Sequence, residues 1–267
     1  MKKSSKSASK QGKNNYLIPN LDRALTVLEF LSEYGSSCGV TTVADELKIP
    51  KNSAFRILYT LTKRGYTEFD EKKKHYRVSG KLLALGHSVV DDSTMLEKAR
   101  EPLNWLRHIT GETSFIGMMV NHLGMVLDQY PSPRPVKFTI TIGHQFDLYA
   151  SAPGKIFAAF QPFEEMMHIV NEINFKPFNE RTITNKEDFL KELTEVRVLG
   201  YAVDRGEEME SVHCIAAPVF DHKSRLAASV WITAPSFRVK HSQFSQIAVY
   251  VMKAASDISK ELGYKSR

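Results

Sequence analysis

The stretch from Thr41 to Tyr66, TTVADELKIPKNSAFRILYTLTKRGY, constrains the fold of this 267-residue chain more than any other. Proline cannot continue the hydrogen-bond ladder of a helix, so Pro50 separates two helical segments. We expect Thr41 or Thr42 to cap the first helix, which would end near Lys48. The second would begin at Lys51-Asn52-Ser53. The stretch therefore predicts two short helices joined by a tight turn.

The second helix has two contrasting faces and would end at Gly65, which suits a left-handed cap. Its apolar residues fall at i, i+3, i+4 and i+7 and predict one buried stripe, formed by Ala54, Ile57, Leu58 and Leu61. The opposite face carries Asn52, Arg56, Tyr59 and Lys63. A polar, cationic second helix is typical of a helix-turn-helix that lies in a DNA major groove. An ordinary helical hairpin is the alternative.

The flanking segments favour DNA binding. Residues 66–69 and 75–78 predict two strands, and the charged turn Asp70–Lys74 between them carries three lysines. A lysine-rich tip in this position can contact phosphates, as the wing of a winged helix does. An amphipathic helix precedes the motif, with Leu21, Ala24, Leu25, Leu28 and Leu31 on one face. We therefore predict a winged helix-turn-helix over residues 16–80, with the DNA-binding residues Arg23, Thr42, Lys51, Asn52, Ser53, Arg56, Tyr59, Lys63, Lys73, Lys74 and Arg77.

The charge distribution agrees with a polyanionic partner for the same region. The net charge is +6, and residues 1–15 contain five lysines and no acidic residue. Residues 16–80 contain ten Lys and Arg against eight Asp and Glu, whereas residues 81–267 contain 21 against 22. The excess positive charge therefore lies in the first 80 residues, where double-stranded DNA would bind. We expect residues 1–15 to be a disordered basic tail that adds non-specific attraction to DNA.

Other classes of protein find little support. No apolar run is long enough to span a bilayer, and the basic start lacks the apolar core of a signal peptide. Cys38 and Cys214 are far apart, which favours a reducing cytoplasm over a disulfide framework. The histidines are scattered without an obvious ligand cluster, and no nucleophile, phosphate-binding or dinucleotide motif is present. We expect no cofactor, no metal, no catalytic residues and no membrane partner.

The remaining two-thirds of the chain predicts a second, α+β domain. Residues 81–93 predict a linker helix whose apolar face, Leu82, Leu85 and Val89, would pack against a second subunit or within the chain. From residue 94 onward, alternating segments predict strands, including 113–120, 125–130, 137–142, 212–220 and 226–233. Helices are predicted near Gly154, over 163–172 and 186–199, and from 242 to 262. This order suggests a sensor domain built around one antiparallel sheet.

With these elements placed, the sequence resembles the IclR family of bacterial transcription regulators. The resemblance rests on the winged segment, on ASAPGK at residues 150–155, and on GYAVDRGEEMESVHCIAAPVFD at residues 200–221. It implies a GAF-like or profilin-like effector-binding domain over residues 94–267, and homodimers or homotetramers. It also implies an effector pocket lined by Ala152, Pro153, Gly154, Asp204, Cys214, Trp231 and Thr233.

Helix chemistry agrees with a small organic acid as the effector, because free N–H groups at a helix start attract a carboxylate. Three positions depart from the family pattern. Pro153 removes one N–H donor. Trp231 replaces a small side chain, so it either fills the pocket or stacks on a ring of the ligand. Ser211 also replaces the usual glycine before the strand that carries Cys214.

Several alternatives remain open from the sequence. Asp204 could be a surface turn residue, and Cys214 and Trp231 could be ordinary buried residues. His213 must point to the sheet face opposite Cys214, because successive strand residues alternate. The second domain could serve only to oligomerise a DNA-binding protein, or it could be an enzyme. A turnover assay would distinguish the enzyme, and ligand-induced stabilisation would distinguish the sensor.

Overall fold

The computed structural model of the chain describes residues 17–82, 85 and 93–265. The described chain forms two compact units that divide between residues 91 and 92. The predicted tail 1–15 and most of the predicted linker helix 81–93 lie outside the described residues, so both stay predictions. Within the described ranges, no helix has the length and apolar character that a bilayer crossing requires.

The N-terminal unit is a winged helix-turn-helix. Its helices are α1 (Pro19–Glu33), α2 (Val40–Glu46) and α3 (Lys51–Lys63). Its small antiparallel sheet has the order β1-β3-β2 and consists of β1 (Cys38–Gly39), β2 (Thr67–Asp70) and β3 (His75–Val78). The stripe predicted on α3 packs into the core against α1 and α2, with Ala54, Leu58 and Leu61 buried. The two helices, the tight turn and the wing are confirmed.

The start of α2 differs from the prediction. Gly39, in an extended conformation, is the N-cap residue, and no side chain caps the helix. Thr41 and Thr42 lie inside the first turn, so the prediction that one of them is the cap was wrong. The reason is tertiary: Gly39 pairs with His75 in the β1–β3 ladder, which fixes the extended backbone just before the helix. The predicted end of α3 is confirmed, because Gly65 has a φ of +79°.

The C-terminal unit has helices on both faces of one six-stranded antiparallel sheet. The helices are α4 (Ser93–Thr110), α5 (Ala152–Ala159), α6 (Phe163–Glu172), α7 (Lys186–Leu199) and α8 (Phe244–Glu261). The strands are β4 (Thr113–Val120), β5 (Leu123–Tyr130), β6 (Gln145–Phe146), β7 (Ala202–Asp204), β8 (Val212–Phe220) and β9 (Leu226–Pro235). Their order across the sheet is β6-β5-β4-β9-β8-β7. The predicted α+β class with an antiparallel sheet is confirmed.

Alternation along the strands divides the core of this unit in two. On β8, Ile215 and Ala217 belong to the core beneath α4 and α8, whereas Cys214 and Ala216 belong to the core beneath α5 and α7. His213 lies on the first side, where its Nδ1 is 2.7 Å from the Val239 carbonyl oxygen. His213 and Cys214 therefore face opposite sides of the sheet, as the two-residue period requires.

The prediction of a strand over residues 137–142 was wrong. This segment is irregular, and only β6 pairs with the edge of β5, opposite Gly124 and Met125. The side chain of Gln129 accounts for the difference, because it bonds to both backbone groups of Ile140. The Ile140 N–H donates to Gln129 Oε1 over 3.1 Å, and Gln129 Nε2 donates to the Ile140 carbonyl over 2.5 Å. The Gln129 side chain thus makes the hydrogen bonds to Ile140 that the backbone of a neighbouring strand would otherwise make.

Candidate functional site

The exposed face of α3 carries the predicted DNA-reading residues. Asn52, Arg56, Tyr59 and Lys63 are all exposed and lie opposite the buried stripe. The Lys63 ammonium lies 5.6 Å from the centre of the Tyr59 ring, which itself lies 6.2 Å from the ring of Phe55. Phe55 is 48% exposed. The sequence analysis did not include Phe55 among the DNA-reading residues, because it assigned polar and cationic side chains, with Tyr59, to that face.

The other candidate DNA-binding residues on the helices differ in their exposure to solvent. Arg23 on α1 and Lys51 at the start of α3 are exposed. Ser53 is half-buried and lines, together with Arg56, a groove against α1. Thr42 is half-buried in α2. The exposed candidates on α3 are therefore centred on Arg56, with Lys51 at one end and Lys63 at the other.

Asp70 stabilises the turn at the tip of the wing. Asp70 Oδ1 accepts hydrogen bonds from the backbone N–H groups of Lys72 and Lys73, and these bonds lower the pKa of its carboxyl. The side chains of Lys73 and Lys74 are exposed. Arg77 differs, because its guanidinium binds Glu68 on the neighbouring strand at 2.6 Å. Arg77 must exchange this partner to reach a phosphate, whereas Lys73 need not.

The predicted effector residues converge on the sheet face beneath α5. Asp204, Cys214 and Thr233 are directly opposite one another on β7, β8 and β9. The Cys214 Sγ lies 3.3 Å from the Thr233 Oγ1. Ala152 at the start of α5 packs into the same core as Cys214 and Trp231. Burial, with the nearby Asp204 carboxyl, raises the pKa of the Cys214 thiol well above its ordinary value, so it is uncharged at neutral pH.

The start of α5 offers a carboxylate fewer donors than a typical helix start. Ser151 caps the helix, and its Oγ accepts the Gly154 N–H over 3.2 Å. The same hydroxyl donates to the Asp147 carbonyl oxygen over 2.8 Å. Pro153, in the first turn, has no N–H. Of the positions 152–154, only Ala152 keeps an N–H that could bind a ligand.

Asp204 is a buried residue and not a surface turn residue. Its side chain is 4% exposed, and its Oδ1 accepts the N–H groups of Gly206 and Glu207 over 2.9 and 2.7 Å. Burial raises the pKa of Asp204 to about 7, and the Glu207 carboxylate acts in the same direction. Asp204 therefore shapes the loop that follows β7, and it exchanges a proton near neutral pH.

We expect Asp204→Asn to flatten the pH dependence of stability between about pH 4 and pH 7. The pKa of Asp204 is raised on folding, so its stabilising contribution is complete below the unfolded value of 3.8 and is lost as pH rises through about 7. Asparagine keeps an oxygen that can accept the same backbone bonds but has no proton to lose. Urea unfolding at several pH values should show the wild type losing up to about 1.4 kcal/mol per pH unit more than the variant.

Asp221→Asn is the control for this measurement. Burial acts to raise the pKa of Asp221, but hydrogen bonds and the charge of Arg225 outweigh it and lower that pKa. Asp221 therefore stabilises the folded protein at neutral pH, and this contribution is lost as the pH falls. Asp221→Asn should remove that loss at acid pH. Identical pH profiles for the wild type and Asp204→Asn would contradict the assignment of this proton to Asp204.

A buried lysine lies beside these residues, and sequence reasoning did not place it in the site. The Lys155 side chain has no exposed surface, and its Nζ donates to Glu192 at 2.9 Å, to Glu207 at 2.6 Å and to the Val203 carbonyl at 2.9 Å. Arg205 also binds Glu192, at 3.1 Å. We call these four side chains (Lys155, Glu192, Glu207 and Arg205) the Lys155 network. A lysine immediately after Gly154, near the predicted helix start, was the only signal in the sequence.

The charges of the Lys155 network are not equally satisfied. Burial acts to raise the pKa of Glu192, but the charges of Lys155 and Arg205 outweigh it, so the pKa lies below its ordinary value. Glu207 is 3% exposed, and among the described residues its Oε2 has no hydrogen-bond partner. Glu207 is joined to Asp204 through its own backbone N–H. The network therefore connects the start of α5 to the loop that Asp204 holds.

Trp231 lies in the core of the sensor unit. It is 2% exposed, stacks on Phe115 with a centroid distance of 5.2 Å and an interplanar angle of 6°, and meets Phe146 edge-on. A Cβ added to Gly117 would clash with the Met125 carbonyl oxygen and would lie 2.9 Å from the indole, which explains the glycine at that position. The indole is thus already paired with protein rings, which favours the interpretation that it fills volume.

Comparisons with known proteins agree with both units. A family model described as "Bacterial transcriptional regulator IclR C-terminal" matches residues 87–260, and one described as "IclR helix-turn-helix domain" matches residues 20–71. The chain is 26% identical over 248 residues to the HTH-type transcriptional regulator XynR of Escherichia coli (strain K12). This match covers 93% of this chain and 98% of XynR.

Solved structures show the same fold. The Thermotoga maritima IclR matches with a TM-score of 0.75 and 26% identity, over 92% of this chain and 99% of that one. An IclR homolog from Microbacterium hydrocarbonoxydans, complexed with 4-hydroxybenzoate, matches with a TM-score of 0.79 over 91% and 98% of the two chains. Its identity of 16% supports the fold alone. The chain is therefore a DNA-binding transcription regulator and not an enzyme, and it belongs to the IclR family.

Proposed function

We propose that a small organic acid, bound in the sensor unit, controls the affinity of this cytoplasmic regulator for a double-stranded operator. The site would lie between the start of α5 and the polar row Asp204, Cys214 and Thr233. The observation that supports it is the convergence of this row, on three neighbouring strands, with the helix start in one buried core. Buried hydrogen bonds gain strength in a low dielectric, so few polar groups suffice to orient a ligand.

The chemistry of the lining favours a hydroxylated acid. The Ala152 N–H and the positive end of α5 suit a carboxylate, but they supply only one backbone donor. Thr233 and Asp204 can exchange hydrogen bonds with ligand hydroxyl groups. Asp204 can also take up a proton, given its pKa of about 7, which removes its repulsion of an acidic ligand. We therefore expect sugar acids or hydroxylated aromatic acids. The Microbacterium hydrocarbonoxydans homolog, which is complexed with 4-hydroxybenzoate, is a precedent for the second class.

A thermal-shift screen of organic acids, including 4-hydroxybenzoate, tests the first half of the proposal. A ligand at 100 times its Kd stabilises the folded protein by about 2.7 kcal/mol, which is readily measured. Thr233→Val should weaken binding of the stabilising acid by roughly 1 kcal/mol, the contribution of one hydrogen bond. Thr194→Val, an exposed threonine on α7, is the matched control. Equal affinity in Thr233→Val and wild type would place the effector elsewhere.

DNA binding with and without the hit tests the second half. The ligand changes operator affinity only if it binds one arrangement of the protein more tightly than another. We expect the Kd for operator DNA to change by roughly 5–150-fold, the usual range of allosteric coupling. If a hit stabilises the protein but leaves DNA affinity unchanged, the alternative in which this unit only oligomerises is favoured.

We also propose that the protein acts as a homodimer or homotetramer. Two-fold related recognition helices read the half-sites of a palindromic operator one helical turn apart. The predicted seam on residues 81–93 supplies apolar side chains for such an interface. Light scattering at micromolar concentration should return a dimer or tetramer, and a monomer would exclude this assembly.

A further inference from the structure

The turn between β4 and β5 places a histidine over helix α6. Asn121 and His122 form the turn, and both have left-handed backbone angles, with φ values of 50° and 62°. Asparagine and histidine adopt this conformation more readily than most residues, and it matches the twist of a two-residue hairpin. The ladder continues up to the pair Val120–Leu123, so the backbone beneath His122 is fixed. The turn therefore positions the Cβ of His122 above α6, and the ring contacts Glu172 of that helix.

Helix α6 presents three ligand-type side chains beneath that imidazole. Glu165, His168 and Glu172 are separated by three and four residues, and so they lie along one face of the helix. His168 and Glu172 have the i, i+4 spacing at which two helical side chains can bind one metal ion. We call the four side chains (His122, Glu165, His168 and Glu172) the His122 cluster. In the sequence the histidines are scattered, and only the fold brings these two together.

The distances within the His122 cluster suit a small cation. His122 Nδ1 lies 2.9 Å from Glu172 Oε2, and His168 Nε2 lies 3.6 Å from Glu172 Oε1. His122 Nε2 lies 3.5 Å from Glu165 Oε1. One ligand atom from each of His122, His168 and Glu172 lies within 4.8 Å of the other two. A tetrahedral Zn²⁺ with bonds of about 2.0–2.1 Å separates its ligand atoms by about 3.4 Å, so small side-chain rotations would complete the geometry.

We propose that the His122 cluster is a binding site for a divalent transition-metal ion of the Zn²⁺ class. Imidazole ligands favour Zn²⁺, Ni²⁺ or Cu²⁺ over Mg²⁺ and Ca²⁺, which prefer oxygen ligands only. Two carboxylates with two neutral imidazoles carry a net negative charge that a dication compensates. His122, His168 and Glu172 supply three ligands, and Glu165 or a water molecule supplies the fourth.

The site is open to exchange with solvent. The side chains of His122, His168 and Glu172 are 31%, 57% and 55% exposed. His122 and Glu172 also line a cavity of about 290 Å³ that extends to Tyr149 and Lys176. The metal would link the β4–β5 turn to α6, and its fourth position could accept a group from that cavity. Direct contacts of His122 with Glu165 and Glu172, without a metal ion, are the competing explanation of the same geometry.

Zinc titration of the full-length, tag-free, chelator-treated protein tests the site. Calorimetry should give one Zn²⁺ per chain, and Co²⁺ should give visible absorption with imidazole ligands. His122→Gln and His168→Gln should each raise the Kd at least about tenfold, since even outer-shell substitutions have such effects. The matched controls are Glu164→Gln on the same helix and His108→Gln on α4, both exposed residues outside the His122 cluster. These controls should leave the Kd unchanged.

Two further observations decide the outcome. Zn²⁺ should raise the Tm of the wild type but not that of His168→Gln, and circular dichroism of each metal-free variant should match the wild type. Zinc affinity equal in the wild type and both histidine variants would overturn the proposal. So would the absence of any change in the Tm of the wild type on addition of Zn²⁺.

Discussion

Lys155→Met is expected to destabilise the sensor unit by about 3–5 kcal/mol, because removing one partner of a buried ion pair leaves an uncompensated charge. Glu207, 3% exposed and 2.6 Å from the Lys155 ammonium, would lose its main countercharge. Methionine has a similar length and volume, so the loss would reflect charge more than packing. Urea unfolding, followed by a probe in the sensor unit, measures the change.

Two further variants serve as controls for this prediction. Lys191→Met removes an exposed pair with Asp188, and exposed pairs contribute about 1 kcal/mol or less. Adding Glu207→Gln to Lys155→Met should restore part of the loss, because the remaining side chain is then neutral. A loss below about 1 kcal/mol for Lys155→Met would mean that Glu207 is not charged in the folded protein.

The result also bears on effector binding. Lys155 follows Gly154 of the first turn of α5, and its partner Glu207 donates its backbone N–H to Asp204. The Lys155 network thus supports both ends of the proposed site. We expect Lys155→Met to weaken the response to an effector in addition to lowering stability, whereas Lys191→Met should leave the response unchanged.

Arg56→Ala is expected to weaken binding to the specific operator by roughly 1–3 kcal/mol, because an arginine on a recognition helix can bind a guanine edge through two hydrogen bonds. Arg56 is exposed at the centre of the polar face of α3, so its loss should leave the fold intact. Fluorescence anisotropy with operator and scrambled DNA separates specific from non-specific affinity. The variant should lose discrimination between the two sequences.

Lys73→Ala in the wing is the control for Arg56→Ala. A lysine that contacts only phosphate should weaken both DNA sequences about equally and reduce the salt slope by about 1. Lys73 suits this purpose better than Arg77, which is already paired with Glu68. Unchanged operator affinity in Arg56→Ala would show that another face of α3 enters the groove.

The sequence by itself determined those features whose causes are local. Pro50 and the spacing of Ala54, Leu58 and Leu61 defined the helix-turn-helix, because a helix break and a 3.6-residue period are readable along the chain. Gly65, with a φ of +79°, ended the helix for a reason that is also local. The strands 113–120 and 212–220 and the helices 163–172 and 186–199 matched the structure for the same reason.

Only the tertiary structure decided which side chains meet. Gln129 replaced a predicted strand partner by bonding to Ile140, which no period in the sequence reports. Lys155 is normally a surface residue type, yet its partners Glu192 and Glu207 come from distant segments and compensate its burial.

The same holds for the paired rings and for the histidines. Trp231 stacks on Phe115 because β4 and β9 are neighbours in the sheet, although they are far apart in the chain. His122 reaches His168 and Glu172 because a hairpin turn lies over α6. Local patterns encode the backbone of each element, whereas the charges and rings that one element brings to another depend on strand order and helix packing, which the pattern of one segment does not contain.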